Sequence, residues 1–155
     1  MSPVEFRAAI PGEARRLGEI AFVAKSHWGY PAGWMESWRP DLMITSHYLE
    51  TEQVCVAEIE GEVIGFAGLS FSDHGRHIEH LWLLPGYMGR GLGRKLFEEV
   101  IRLARHEGTR KLFIQSDPNA EAFYVKMGAI RIGQETRELP GGIRREIPLL
   151  AYQLS

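Results

Sequence analysis

Cysteine is the scarcest reactive residue in this chain: Cys55 stands alone, so no disulfide can form within it. It lies in the apolar run VCVAEI, with no basic neighbour and no helix start beside it. It reads as a small buried hydrophobe rather than a thiol catalyst. A lone thiol of this kind fits a reducing, cytoplasmic setting. No apolar run is long enough to span a bilayer, and the opening MSPVEFRAAI lacks the basic patch and apolar stretch of a signal peptide. Neither membrane nor export is therefore expected. Excess basic charge is missing too. Lys and Arg number 18 against 20 Asp and Glu, a net charge of −2, without the footprint a nucleic-acid partner demands. Repeats, low-complexity tracts and linkers are absent as well, and no metal is expected. What is left is one domain over residues 1–155, 45% hydrophobic and 25% charged. A chain of that length buries roughly two thirds of the surface it exposes when unfolded.

The element order follows from periodicity and turn signals. Residues 4–10 read as a strand closed by Pro11-Gly12. Ala14, Leu17, Ile20, Ala21 and Ala24 then recur at helical spacing. The stretch SHWGYPAGWMESWRP, rich in aromatics and broken by Pro31, Gly33 and Pro40, predicts short helices and loops. A helical segment over residues 41–49 follows it. QVCVAEI and EVIGFAGLSF are apolar, β-rich runs joined at Glu60-Gly61 as a hairpin, and residues 77–84 make a fourth strand stopped by Pro85. Beyond a glycine loop, Leu92, Leu96, Phe97, Val100, Ile101, Leu103 and Ala104 mark one helix face, ended by Gly108. KLFIQS is a short strand. Asp117 suits an N-cap, Pro118 the first turn and Gly128 the C-terminal stop of a last helix. Residues 129–134 and 146–154 are closing strands around Pro140-Gly141-Gly142. The sum is β-α-α-β-β-β-α-β-α-β-β, an α/β fold with one mixed, largely antiparallel central sheet flanked by helices.

The loop PGYMGRGLG, between a strand and a helix, has the makings of an anion cradle. A helix start leaves N–H groups unpaired and carries partial positive charge, and glycine lets main chain approach a ligand closely. A phosphate or pyrophosphate is the natural guest, with Arg90 and Arg94 adding charge. A nucleoside-triphosphate loop ends in Gly-Lys-Ser/Thr, whereas Gly93 is followed by Arg94-Lys95-Leu96. A dinucleotide fingerprint needs GxGxxG, and this loop reads GxGxG. Taken alone, the three glycines are equally a flexible strand-to-helix turn.

The surrounding residues go further. IEHLWLLPGYMGRGLGRKL resembles motif A of the GNAT superfamily of Gcn5-related N-acetyltransferases, and SDPNAEAFYVKMGA resembles its motif B, in the right order and at suitable separation. Two departures stand out: Met88 where the family usually has Gln or Arg, and Ala129 in place of a usual Phe. The resemblance implies acetyl-CoA as acetyl donor, with the acetyl group passed directly to an amine. It implies that the pyrophosphate lies on the N–H groups of Met88, Gly89, Arg90, Gly91, Gly93 and Arg94. The pantetheine arm would pair with main chain near Leu81 and Leu83, the Leu81 N–H polarising the thioester carbonyl. Asn119 matches a family position that bonds the cofactor or neighbouring main chain. An amine is protonated at neutral pH, so a base is useful, and Glu79 and His77 fall where some members carry theirs. Glu79 is favoured because it sits nearer the thioester position; both can equally be charges on a solvated strand end. His80, on the opposite face by alternation, is read as packing. Tyr124 matches the tyrosine that protonates the departing thiolate, against the plainer reading of an aromatic helix face.

Between the first two helices the family usually varies and lines its acceptor pocket. Trp28, Tyr30 and Trp34 are the candidate acceptor-binding residues there, able as a group to hold a cationic or aromatic amine, although a single large aromatic is more often a packing residue. The acceptor class is left open among small amines, amino acids and peptide amines. Homodimers are frequent in the family and are among the states the resemblance allows. Two readings from other classes stand beside the enzyme. One is a non-catalytic acyl-CoA-binding sensor, which has no need of Tyr124 with Glu79 or His77. The other is a phosphoryl-transfer domain, against which the absent Lys-Ser/Thr argues.

Overall fold

The computed structural model describes residues 3–73 and 75–154. Seven strands form one sheet: β1 Glu5–Ala8, β2 Gln53–Ile59, β3 Glu62–Ser72, β4 Gly75–Leu83, β5 Lys111–Gln115, β6 Ile130–Leu139 and β7 Ile143–Gln153. Their order across the sheet is β1-β2-β3-β4-β5-β7-β6, antiparallel throughout except where β4 meets β5. The helices are α1 Ala14–Ser26, α2 Ala32–Leu42, α3 Ser46–Thr51, α4 Leu92–His106 and α5 Glu121–Met127. The architecture is the α/β one that the periodicity predicts, with one more helix ahead of β2.

Each face of the sheet buries its own core. On one side α4 presents Leu92, Leu96, Phe97, Val100, Ile101 and Ala104, every one of them buried, against Ile64, Leu69, Ile78 and Leu112. On the other, Leu17, Ile20 and Ala21 of α1 and Met35 and Leu42 of α2 pack on Val54, Val56 and Phe66. Each fully buried Leu or Ile contributes about 1.5–3 kcal/mol, so the two apolar stripes dock the helices without help from polar contacts.

The aromatic stretch after α1 is more regular than its prolines and glycines predict. Ala32–Leu42 is one helix, because Pro40 falls in its last turn, where a missing N–H breaks only one bond. Thr45 then caps α3 by accepting the Tyr48 N–H at 3.0 Å. The two closing strands are longer than the apolar pattern indicates, since their outer halves alternate polar residues and pair with each other from Ile130↔Ala151 to Leu139↔Ile143.

Cys55 is buried in β2, and burial pushes its thiol pKa up to about 12. Thiolate is the reactive form, so about a thousandfold less of it is present than for a free cysteine. A thiol-specific reagent at pH 8 should therefore leave the native protein unlabelled for hours and label it at once in denaturant. Rapid labelling of the native state would contradict this placement.

Candidate active site

The site begins with a defect in β4. Its register against β3 runs Leu69↔Ile78 and then Gly68↔His80, so Glu79 is an extra residue bulged out of the ladder. A bulge bends its strand and disturbs alternation. Glu79 and His80 consequently turn to the same side of the sheet, not to opposite sides as regular alternation predicts. Both belong to one network there. The Ser70 hydroxyl donates to Glu79 Oε2, Ser70 Oγ is 3.1 Å from the Tyr48 hydroxyl, and the Tyr48 ring stands edge-on to His80 at 5.7 Å. Gly68 makes this network fit, because a Cβ at that position would lie 2.5 Å from the Tyr48 hydroxyl oxygen.

The same bend opens a gap. Among the described residues β4 and β5 pair only at His77↔Phe113 and Ile78↔Ile114, and beyond Ile78 the β5 side of β4 is an open edge. Leu84 N–H bonds the Ile64 carbonyl on the β3 side at 2.9 Å. Strand alternation then turns the N–H groups of Leu81 and Leu83 towards the open edge.

At the end of that edge stands the glycine loop. Residues Pro85–Tyr87 make a short 3-10 turn, after which Gly89 and Gly91 adopt φ of +77° and +78°. Gly91 is the N-cap of α4 in the left-handed region, with no side chain capping the helix. Among the described residues nothing accepts the N–H groups of Gly91, Leu92, Gly93 and Arg94. A cap residue with an oxygen-bearing side chain would fill this space; glycine leaves four amides directed outward. Such a cradle fits a diphosphate.

Edge, loop and network border one cavity of about 1000 Å³. Of the residues read from sequence as candidates, Glu79, Leu81, Leu83, Met88, Gly89, Gly91, Gly93, Arg94, Asn119, Tyr124 and Trp28 lie on its wall. Arg90, His77, Tyr30 and Trp34 do not. Arg90 stacks its guanidinium 5.4 Å from the Tyr87 ring centre. His77 lies where β4 and β5 still pair, its Nδ1 buried and, among the described residues, without a hydrogen bond. Trp34 packs against Tyr30 and Trp38.

Tyr30 has a different occupation. Its hydroxyl donates to the Asp117 carboxylate at 2.8 and 2.9 Å and accepts from Asn119 Nδ2 at 2.7 Å. Asp117 also accepts the Asn119 N–H at 2.8 Å and pairs with Arg145 at 3.1 Å and Lys25 at 3.8 Å. This hub ties the end of α1 and strand β7 to the turn that launches α5, which carries Tyr124 into the cavity. Burial raises the Tyr124 pKa above that of an ordinary phenol, with the Asp117 charge adding to it. Among the described residues no group hydrogen-bonds its hydroxyl.

Tyr48, Ser70 and Lys25 are site residues that sequence reasoning passes over, and His80 is one that it reads as packing. A bulge has no sequence signature as strong as a turn, and Lys25, Asp117 and Arg145 meet only in three dimensions. Asp117 alone was signalled, by its capping position.

The family model described as the acetyltransferase (GNAT) family matches residues 20–129. The chain is 29% identical over 143 residues to the N-alpha-acetyltransferase RimI of Mycobacterium tuberculosis, an alignment covering 87% of this chain and 84% of that protein. It is 33% identical over 75 residues to the glucosamine 6-phosphate N-acetyltransferase of Trypanosoma brucei brucei, covering 44% of this chain and about half (51%) of that relative's length. Among solved structures, a Gcn5-related N-acetyltransferase from Rhodopseudomonas palustris superposes with a TM-score of 0.83 at 24% identity, covering 99% of this chain and 98% of the other. The PaiA N-acetyltransferase of Thermoplasma acidophilum, in complex with coenzyme A, superposes with a TM-score of 0.75 at 17% identity over 97% and 99% of the two chains. At these identities the structural likeness shows a shared fold.

His80 gives a direct check on the network. Desolvation pulls its pKa down to about 4, and Trp82 Nε1 donates to its Nδ1 at 3.0 Å, leaving the proton of the neutral ring on Nε2. The unfolded chain, with an ordinary imidazole near 6.5, binds more protons between those values. The stability this group contributes is therefore present above pH 6.5 and is lost as pH falls towards 4. Urea unfolding across that window should show a shallower decline in His80→Gln than in the parent; parallel curves would contradict the assignment.

Proposed function

The chain is a member of the GNAT acetyltransferase family, and from that premise we propose that it transfers the acetyl group of acetyl-CoA directly to an amine, of a small molecule, amino acid or peptide. The observation that carries this reading is the open edge of β4 running into a cradle of four open amides. A diphosphate fits the amides of Gly91 to Arg94, and the outward N–H groups of Leu81 and Leu83 suit the amides of a pantetheine arm. When bound, acetyl-CoA supplies an activated acyl group and a thiolate leaving group.

The rest falls to the chain's own side chains. Glu79 is the proposed base: it lines the cavity, and Ser70, itself held by Tyr48, fixes the carboxylate by donating to one oxygen, leaving the other to take a proton from the amine or from an intervening water. His77, away from the cavity wall, has no part in this assignment. Tyr124 is the proposed acid. Its raised pKa keeps the phenol protonated at neutral pH, and its hydroxyl, with no acceptor among the described residues, is available to a sulfur leaving in the cavity. Leu81 N–H, turned to the open edge, can donate to a carbonyl oxygen as negative charge develops there. Trp28 contributes an aromatic wall on the acceptor side.

Release of free thiol from acetyl-CoA, followed across amines, amino acids and short peptides, tests the reading. Tyr124→Phe should lower kcat about a hundredfold with little change in acetyl-CoA affinity, and Glu79→Gln should lower kcat/KM for the acceptor by a similar factor. Full activity in either variant would remove that residue's role. Tight acetyl-CoA binding without thiol release for any acceptor would favour the sensor instead.

A further inference from the structure

Lys25 and Arg145 carry charges that acetyl transfer as described above does not use. Their side chains are only 16% and 11% exposed. Asp117 Oδ2 is 3.1 Å from Arg145 Nη2 and 3.8 Å from Lys25 Nζ; Lys25 also lies over the Trp38 ring at 4.0 Å, and Arg145 lies over the Tyr30 ring at 4.7 Å and donates to the Tyr30 hydroxyl. That carboxylate is already shared with the Tyr30 hydroxyl and the Asn119 N–H. Two buried cations thus share one buried carboxylate, with the exposed Asp41 adding its charge to Lys25. Donors are in surplus as well. Among the described residues no acceptor stands within hydrogen-bond length of Lys25 Nζ, and Arg145 engages through Nη2 alone, leaving Nε and Nη1 open.

Both side chains line a second chamber of about 360 Å³ that adjoins the main cavity, with Lys25, Gln115, Asp117 and Arg137 on the walls of both. The chamber's other acids, Asp41 and Glu138, are exposed, although the Asp41 charge still acts on Lys25, and Arg137 is engaged by Glu135 at 2.7 Å. The buried cations set the character of the floor. Burial already depresses the Lys25 pKa, as expected of an ammonium that lacks a full complement of acceptors.

We propose that this side chamber is a carboxylate subsite, so that the acceptor places its amine in the main cavity and a carboxylate at its other end against Lys25 and Arg145. The proposal rests on the acetyltransferase reading for the amine end and on this chamber's own chemistry for the acid end. With Nη2 engaged, the Arg145 Nε and Nη1 groups each offer a single N–H to a carboxylate oxygen, and the Lys25 ammonium adds a further contact. The acceptor class is then an amino acid whose amine and acid are separated by a spacer, rather than a plain alkylamine.

The test compares thiol release for a series of ω-amino acids with alkylamines of equal chain length, in the parent and in Lys25→Met and Arg145→Lys. At the favoured length the parent should prefer the acid-bearing acceptor by about tenfold or more in kcat/KM, and that ratio should fall close to one in Lys25→Met. A ratio near one in the parent, or one unchanged in both variants, overturns the proposal. If no amine is acetylated, the acetyltransferase reading fails on its own, and ligand-observed NMR with glutarate decides the subsite. Saturable glutarate binding that Lys25→Met abolishes sustains it; no binding to the parent, or binding indifferent to Lys25, overturns it.

Discussion

Everything in this site depends on β4 and β5 parting company after Ile78. Two neighbouring parallel strands ordinarily satisfy each other's amides along their length. Here the bulge at Glu79 bends β4 away, while β5 stays paired to β7 through Gln115. The result is a buried strand with an unsatisfied edge, which a protein tolerates only where something else supplies the acceptors. The edge ends at a helix start stripped of its cap. One irregularity of backbone thus creates both an extended hydrogen-bonding strip and an anion cradle at its end.

That same bulge brings acid and imidazole to one side of the sheet. Glu79 and His80 are consecutive, yet both face Tyr48 and Ser70, and Gly68 leaves the room that Tyr48 needs. On the facing wall Asp117 anchors the turn preceding α5, the helix that carries Tyr124, by drawing Tyr30, Arg145 and Lys25 onto it. Of the two proposed proton-transfer groups, Glu79 is fixed by polar neighbours and Tyr124 by packing against Phe97 and Phe123. Buried polar networks of this kind are costly unless nearly every member is satisfied, so their few unsatisfied donors mark where a ligand belongs.

Much of this was legible in the sequence. The apolar stripes of α1 and α4 dictate which faces are buried, and Gly91 before Leu92 marks an uncapped helix start. Asp117, Pro118 and Gly128 bracket α5 as their capping preferences require. Alternation failed at Glu79, because a bulge is decided by the pairing of two strands and neither strand announces it. The aromatic stretch misled for a related reason. Tyr30 reads as a pocket wall, but a phenol near a buried carboxylate is drawn to it, and that carboxylate lies far along the chain. Pro40 reads as a breaker, but in the last turn of a helix it costs one bond.

In the proposed function, open backbone amides rather than side chains grip the coenzyme, and Met88, whose side chain offers no hydrogen-bond donor, is compatible with that. A two-dimensional ¹H–¹⁵N spectrum recorded during titration with coenzyme A tests it most directly. The amides of Gly91, Leu92, Gly93 and Arg94, together with those of Leu81 and Leu83, should move most and in step with saturation. Coenzyme A bound to saturation with those six resonances unmoved, and the shifts gathered elsewhere, would contradict it.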